Sequence, residues 1–137
     1  MNQVSDIRWK QRFENLQAAY KRLAHAASVY QQQPKDDLMQ MALIKAFEFT
    51  FELCWKTLKD YLQYNGVDLK LPREIIKFAF ANGMIQDGDL WIDMLDNRNL
   101  MAHIYDEARA LEAAEHITAR YMMGIQQLQA YLAEQKG

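Results

Sequence analysis

The stretch AFEFTFELCWKTLKDYL, Ala46 to Leu62, decides how this chain folds. Phe47, Phe51, Trp55, Leu58 and Leu62 recur at steps of three and four, the period of one helix face. Ala46, Phe49, Leu53 and Thr57 widen that stripe beyond what one packing partner needs. The pattern predicts a helix buried on two sides, against its own bundle and against a partner.

Working outward, the breakers set the helix ends. In QQQPKDD, Gln31 to Asp37, Pro34 stops a preceding helix, and Asp36 or Asp37 can cap the next. Asn65-Gly66 supplies a left-handed stop, so the central helix runs from about Asp37 to Tyr64, on the order of 40 Å. Upstream, Ile7, Phe13, Leu16, Ala19, Tyr20, Leu23, Ala27 and Tyr30 predict a first helix from about Val4 to Gln32. Downstream, Pro72 opens a short helix to about Ala81, ended by Asn82-Gly83. Asp87 or Asp89 caps a fourth, from about Gly88 to Met101, with Leu90, Trp91, Met94, Leu95 and Met101 apolar. A fifth runs from about Asp106 to Glu134, and the tail AEQKG is expected to fray. No strand is evident. The expected fold is all-α: an antiparallel up-and-down four-helix bundle with an additional short helix, in one domain spanning residues 1–137.

Composition narrows the function. A chain of 137 residues, half of them hydrophobic, can bury a real core. Five Gly and two Pro suit long helices. The single Cys54 rules out an intramolecular disulfide, and with no signal peptide at the start a reducing cytoplasm is the expected compartment. No apolar run approaches a membrane span. A net charge of −2 excludes a broad basic surface, so any RNA must be held at a local site or one shared between subunits.

Familiar sites are missing. GMIQDGDL, Gly83 to Leu90, has two glycines but lacks the Lys and Ser or Thr of a phosphate-binding loop. The residues three before His25, His103 and His116 are Arg22, Leu100 and Ala113, so the Glu-x-x-His pairs of a di-iron bundle are absent. One Cys and three scattered His give zinc no support. Glu112 and His116, one turn apart, read as an exposed helix pair, and His25 reads as structural.

The remaining polar cluster is DNRNLMAHIYDEARA, Asp96 to Ala110. Arg98 and His103 near a helix C-terminus suit the helix dipole, Tyr105 can fold back on the bundle, and Asp106 can cap the next helix. The same residues also make a chemical set. Histidine moves protons near neutral pH, and arginine grips a phosphate with paired hydrogen bonds. In an unbroken helix His103 lies about 140° around from Arg98. The two converge only if the helix loosens near Ala102 or a second subunit supplies one of them.

RNLMAHIYDE, Arg98 to Glu107, reads Arg-x4-His-x-Tyr and resembles the HEPN superfamily (higher eukaryotes and prokaryotes nucleotide-binding). More narrowly it looks like the HepT-like toxins, once called nucleotidyltransferase substrate-binding proteins and encoded beside a minimal nucleotidyltransferase. FEFTFELCWKTLKDYL and DGDLWIDMLDNRNLMAHIYDE carry the same resemblance, so it covers most of the chain. It implies a homodimer and a metal-independent endoribonuclease, with tRNA the first candidate substrate. Arg98 and His103 would be catalytic, facing their copies across an interface cleft, with Asn99 in support. Tyr105 would accept AMP from the partner transferase, which uses ATP and Mg²⁺; this chain needs no cofactor of its own. Two other readings stand beside it: a non-catalytic subunit that binds a nucleotide or presents substrate to the transferase, and a purely structural dimeric bundle.

Overall fold

The computed structural model describes residues 3–104 and 106–137. The described residues form an all-helical bundle: α1 (Gln3–Gln32), α2 (Asp37–Tyr64), α3 (Pro72–Ala81), α4 (Gly88–Met101), α5 (Glu107–His116), a π-helical turn (Ile117–Tyr121) and α6 (Met122–Lys136). No helix among them is long and apolar enough to cross a membrane.

The ends follow from local chemistry. Asp36 accepts from the N–H groups of Leu38 and Met39 and so caps α2. Asp87 does the same for α4 through Leu90, and Asp106 for α5 through Arg109. Pro72 sits in the first turn of α3. Gly66 (φ 85°) and Gly83 (φ 74°) make the left-handed turns that end α2 and α3.

Helices α1 and α2 pack along their length. Trp9 meets Tyr61 with ring centroids 4.9 Å apart, Arg12 Nε lies 2.7 Å from Asp60 Oδ2, and Thr50 Oγ1 donates to Ala19 O at 3.4 Å. Early α1 thus meets late α2, an antiparallel pair. Phe13, Leu16, Leu23, Phe47, Phe51, Leu58 and Leu62 are buried between them and the other helices. Helix α4 closes the core through Trp91, 6.1 Å from Phe51 between ring centroids. Gly124 of α6 admits α4 closely, since a Cβ there would lie 2.9 Å from Leu90 Cδ2.

Three expectations change. The apolar face of α1 is phased on Trp9, which is fully buried, while Ile7 is half exposed. The expected unbroken helix from Asp106 to Glu134 carries a π turn, in which the Met122 N–H reaches back five residues to Ile117 O. Beside it, Thr118 Oγ1 donates to Ala114 O and Glu115 O, competing for the carbonyls of a regular ladder. The tail expected to fray is helical as far as Lys136, with Tyr61 Oη donating to Gln135 Oε1 (3.3 Å) and Lys136 Nζ 3.8 Å from Glu14 Oε1.

Candidate functional site

Helix α4 delivers Arg98 in its last turn and His103 just beyond its end. The helix stops at Met101. The His103 N–H then bonds to Leu100 O at 3.0 Å and the Ile104 N–H to Met101 O at 3.4 Å, a tightened three-residue pattern. That change of pitch removes the angular conflict of an unbroken helix. Arg98, Asn99 and His103 line one crevice of about 680 Å³ against Lys45, Glu48 and Glu52 of α2.

Within it, Arg98 Nη2 is ion-paired to Glu52 Oε1, and Arg98 Nη1 donates to Asn99 Oδ1 at 3.0 Å. The other Glu52 oxygen accepts from Trp55 Nε1 at 3.0 Å and lies 3.7 Å from Lys56 Nζ. The arginine is therefore aimed into the crevice by a carboxylate that is itself anchored. His103 is solvent-exposed. A phosphate entering here meets the Arg98 guanidinium and the exposed Lys45 ammonium, with the Glu48 and Glu52 carboxylates and the His103 imidazole on the same walls.

Behind the crevice, a polar network sets the rotation of α4. Tyr121 Oη donates to Asp93 Oδ2 at 2.8 Å and accepts from Asn97 Nδ2, next to Arg98 in sequence. Arg120 Nη1 lies 3.1 Å from the same Asp93 oxygen. Tyr121 is fully buried, and burial first, then the Asp93 carboxylate, pushes its phenol up to about 12. The π turn carries Tyr121 into this position.

Of the expected site residues, the structure brings Arg98, Asn99 and His103 together; Tyr105 lies outside the described residues. His25, read as structural, stands exposed on α1. Glu112 and His116 form the expected surface pair, with Oε1 and Nε2 3.7 Å apart. Sequence reasoning missed Lys45 and Glu52. The available signal was Lys45, Glu48 and Glu52, polar residues at steps of three and four along an otherwise apolar helix.

The bundle presents Arg-x4-His at the closing turn of a core helix. The chain belongs to the family described as nucleotidyltransferase substrate binding protein like, whose model matches residues 11–134. A probable ribonuclease HepT of Haemophilus influenzae is 30% identical over 80 residues, 55% of each chain, so the chain spans about half the length of that curated relative. A solved Haemophilus influenzae structure, described as revealing the fold of a substrate binding domain of a nucleotidyltransferase, shares 25% identity at a TM-score of 0.79. It covers 88% of this chain and 98% of that one. A tri-AMPylated Shewanella oneidensis HEPN toxin, solved in complex with an MNT antitoxin, matches at a TM-score of 0.74 and 18% identity, covering 98% and 99%, and so shares the fold.

Proposed function

We propose that this chain is a metal-independent endoribonuclease, the toxin of a pair whose antitoxin is a minimal nucleotidyltransferase. The observation that carries the reading is the shared crevice of Arg98, Asn99 and His103 with Lys45 on the facing helix.

RNA would lie with a phosphate against Arg98 and Lys45. The ribose 2′-oxygen attacks the adjoining phosphorus as its proton passes to His103. The bond to the 5′-oxygen breaks, and that oxygen takes a proton from His103 of a second copy. The products are a 2′,3′-cyclic phosphate and a free 5′-hydroxyl, with protons balanced. Charge that builds on the phosphate oxygens is met by the guanidinium.

One imidazole cannot serve as base and acid together, so the chemistry asks for a homodimer. Leu38, Met41 and Phe49 support one: they stand exposed along the Lys45 face of α2, with exposed Leu100 on α4 beyond the crevice. An interface there would bury these apolar side chains and face two crevices toward each other. The acidic net charge fits an RNA held at that cleft alone, with tRNA the first candidate.

Silencing would act at Tyr105, two residues past His103 in sequence. Its phenol oxygen would attack the α-phosphorus of ATP bound with Mg²⁺ on the transferase, releasing pyrophosphate. The attached AMP adds bulk and negative charge beside the RNA phosphate.

The second reading, a non-catalytic substrate-binding subunit, draws on the ion pair that already occupies Arg98. Cleavage of tRNA by the wild-type protein, Arg98→Ala and His103→Ala separates the two. The ribonuclease reading expects a loss of roughly 10²–10⁴-fold in each variant. Equal activity in all three, or none in the wild type, removes it. Mass addition by the transferase with ATP, absent in Tyr105→Phe, tests the silencing step.

A further inference from the structure

On the other side of the closing turn of α4 lies a second crevice, of about 420 Å³, bounded by α5. Leu100, Met101, Ile104 and Ala113 give it apolar walls, and the imidazole of His116 adds a flat one. That ring is held in place. It stacks on Tyr121 at 20° with centroids 6.0 Å apart, and its Nδ1 lies 3.5 Å from Arg120 Nη1. Arg109 and Glu112 stand on α5 at the same crevice, paired at exposed positions through one atom each, Arg109 Nε 3.6 Å from Asp106 Oδ2 and Glu112 Oε1 3.7 Å from His116 Nε2, so that a ligand would compete for a guanidinium and a carboxylate. His103 lines both crevices, so whatever fills the second adjoins whatever is held at Arg98.

A flat, largely apolar slot with a few polar groups, sharing a wall with a phosphate site, suits a nucleobase. The polar pair narrows which one. A carboxylate accepts best from adjacent N–H donors, and guanine presents two on its Watson–Crick edge, at N1 and N2. Its O6 and N7 are acceptors matched to an arginine. Adenine, cytosine and uracil each lack the adjacent pair of N–H donors.

We propose that the crevice between the α4 turn and α5 is a guanine subsite, read by Glu112 and Arg109 and stacked against His116. It rests on the ribonuclease reading for its role in cleavage, not for binding.

The test uses the four nucleoside 5′-monophosphates as probes, titrated into the full chain by calorimetry. GMP is expected to bind about tenfold more tightly than AMP, CMP or UMP. Glu112→Ala and Arg109→Ala, both at exposed positions, should each bring GMP down to the level of the others. Arg98→Ala should weaken all four alike and keep the preference. If the four bind alike, if none binds, or if the GMP preference survives Glu112→Ala, the subsite is wrong. The cleavage arm is read separately, as a preference for guanine beside the cut that relaxes in Glu112→Ala. GMP selectivity in a protein that cuts no RNA keeps the subsite and removes the ribonuclease. Cleavage without base preference, together with indiscriminate nucleotide binding, does the reverse.

Discussion

The α1–α2 core and the α4–α5 corner are built by opposite rules. The first is mostly apolar: Trp9, Phe13, Phe47 and Phe51 are fully buried, and the one charge drawn between its helices, Asp60, is paired with Arg12. At the second, Ala102 and His103 are exposed, and backbone bonds of a single tightened turn hold the chain. The core supplies the stability, and the corner uses it to hold a short, strongly polar segment at a helix end. The candidate site sits where packing gives way and solvent reaches the side chains, whereas a charge in the first region needs a fixed partner, as Asp60 has in Arg12.

That contrast can be broken or sharpened by substitution. The largest effect belongs to the core: Trp91→Ala or Phe51→Ala should cost about 3–5 kcal/mol in a denaturant melt. That is a large share of a typical domain's stability. At the corner, His103→Ala should change the melt by less than about 0.5 kcal/mol while abolishing most cleavage. A variant that lost both together would show that the regions are not separable.

Tyr121→Phe probes the link between them. It strips the hydroxyl shared by Asp93 and Asn97 and should cost about 1–3 kcal/mol. Cleavage should fall less than in Arg98→Ala, because the arginine keeps Glu52 and loses only the brace behind it.

Another effect is read in pH. Burial raises both Tyr121 and Tyr131 from 10 to about 12, so the folded state keeps phenol protons that the unfolded chain releases first. This contribution is complete below pH 10 and is lost as pH rises toward about 12. Melts across that window should show falling stability, and Tyr121→Phe should flatten the slope.

Much of the fold was legible because its boundaries are set by local chemistry. Pro34, Pro72, the two Asn-Gly pairs and the capping aspartates act within a few residues of themselves, and α2, α3 and α4 begin and end where those signals point. Ile7 was misplaced although the spacing favoured Trp9, which lies four residues before Phe13 where Ile7 lies six, and the packing of Trp9 against Tyr61 fixes that phase. The π turn was invisible, since Ala114, Ile117, Tyr121 and Ile125 keep the spacing of an ordinary helix. At the candidate site, Arg98 and His103 could be read because they lie on one short segment. Lys45 and Glu52 come from a helix some fifty residues away, and sequence spacing carries no record of that meeting.

Cys54 is wholly enclosed in the α2 core, and burial lifts its thiol well above the ordinary range. While the fold is closed, the side chain is both out of reach and protonated, and thus a poor nucleophile. Air oxidation therefore has nothing to join, and two intact copies can associate only by surface contact. A covalent dimer on a non-reducing gel would be a mark of chains that had come apart, not of assembly.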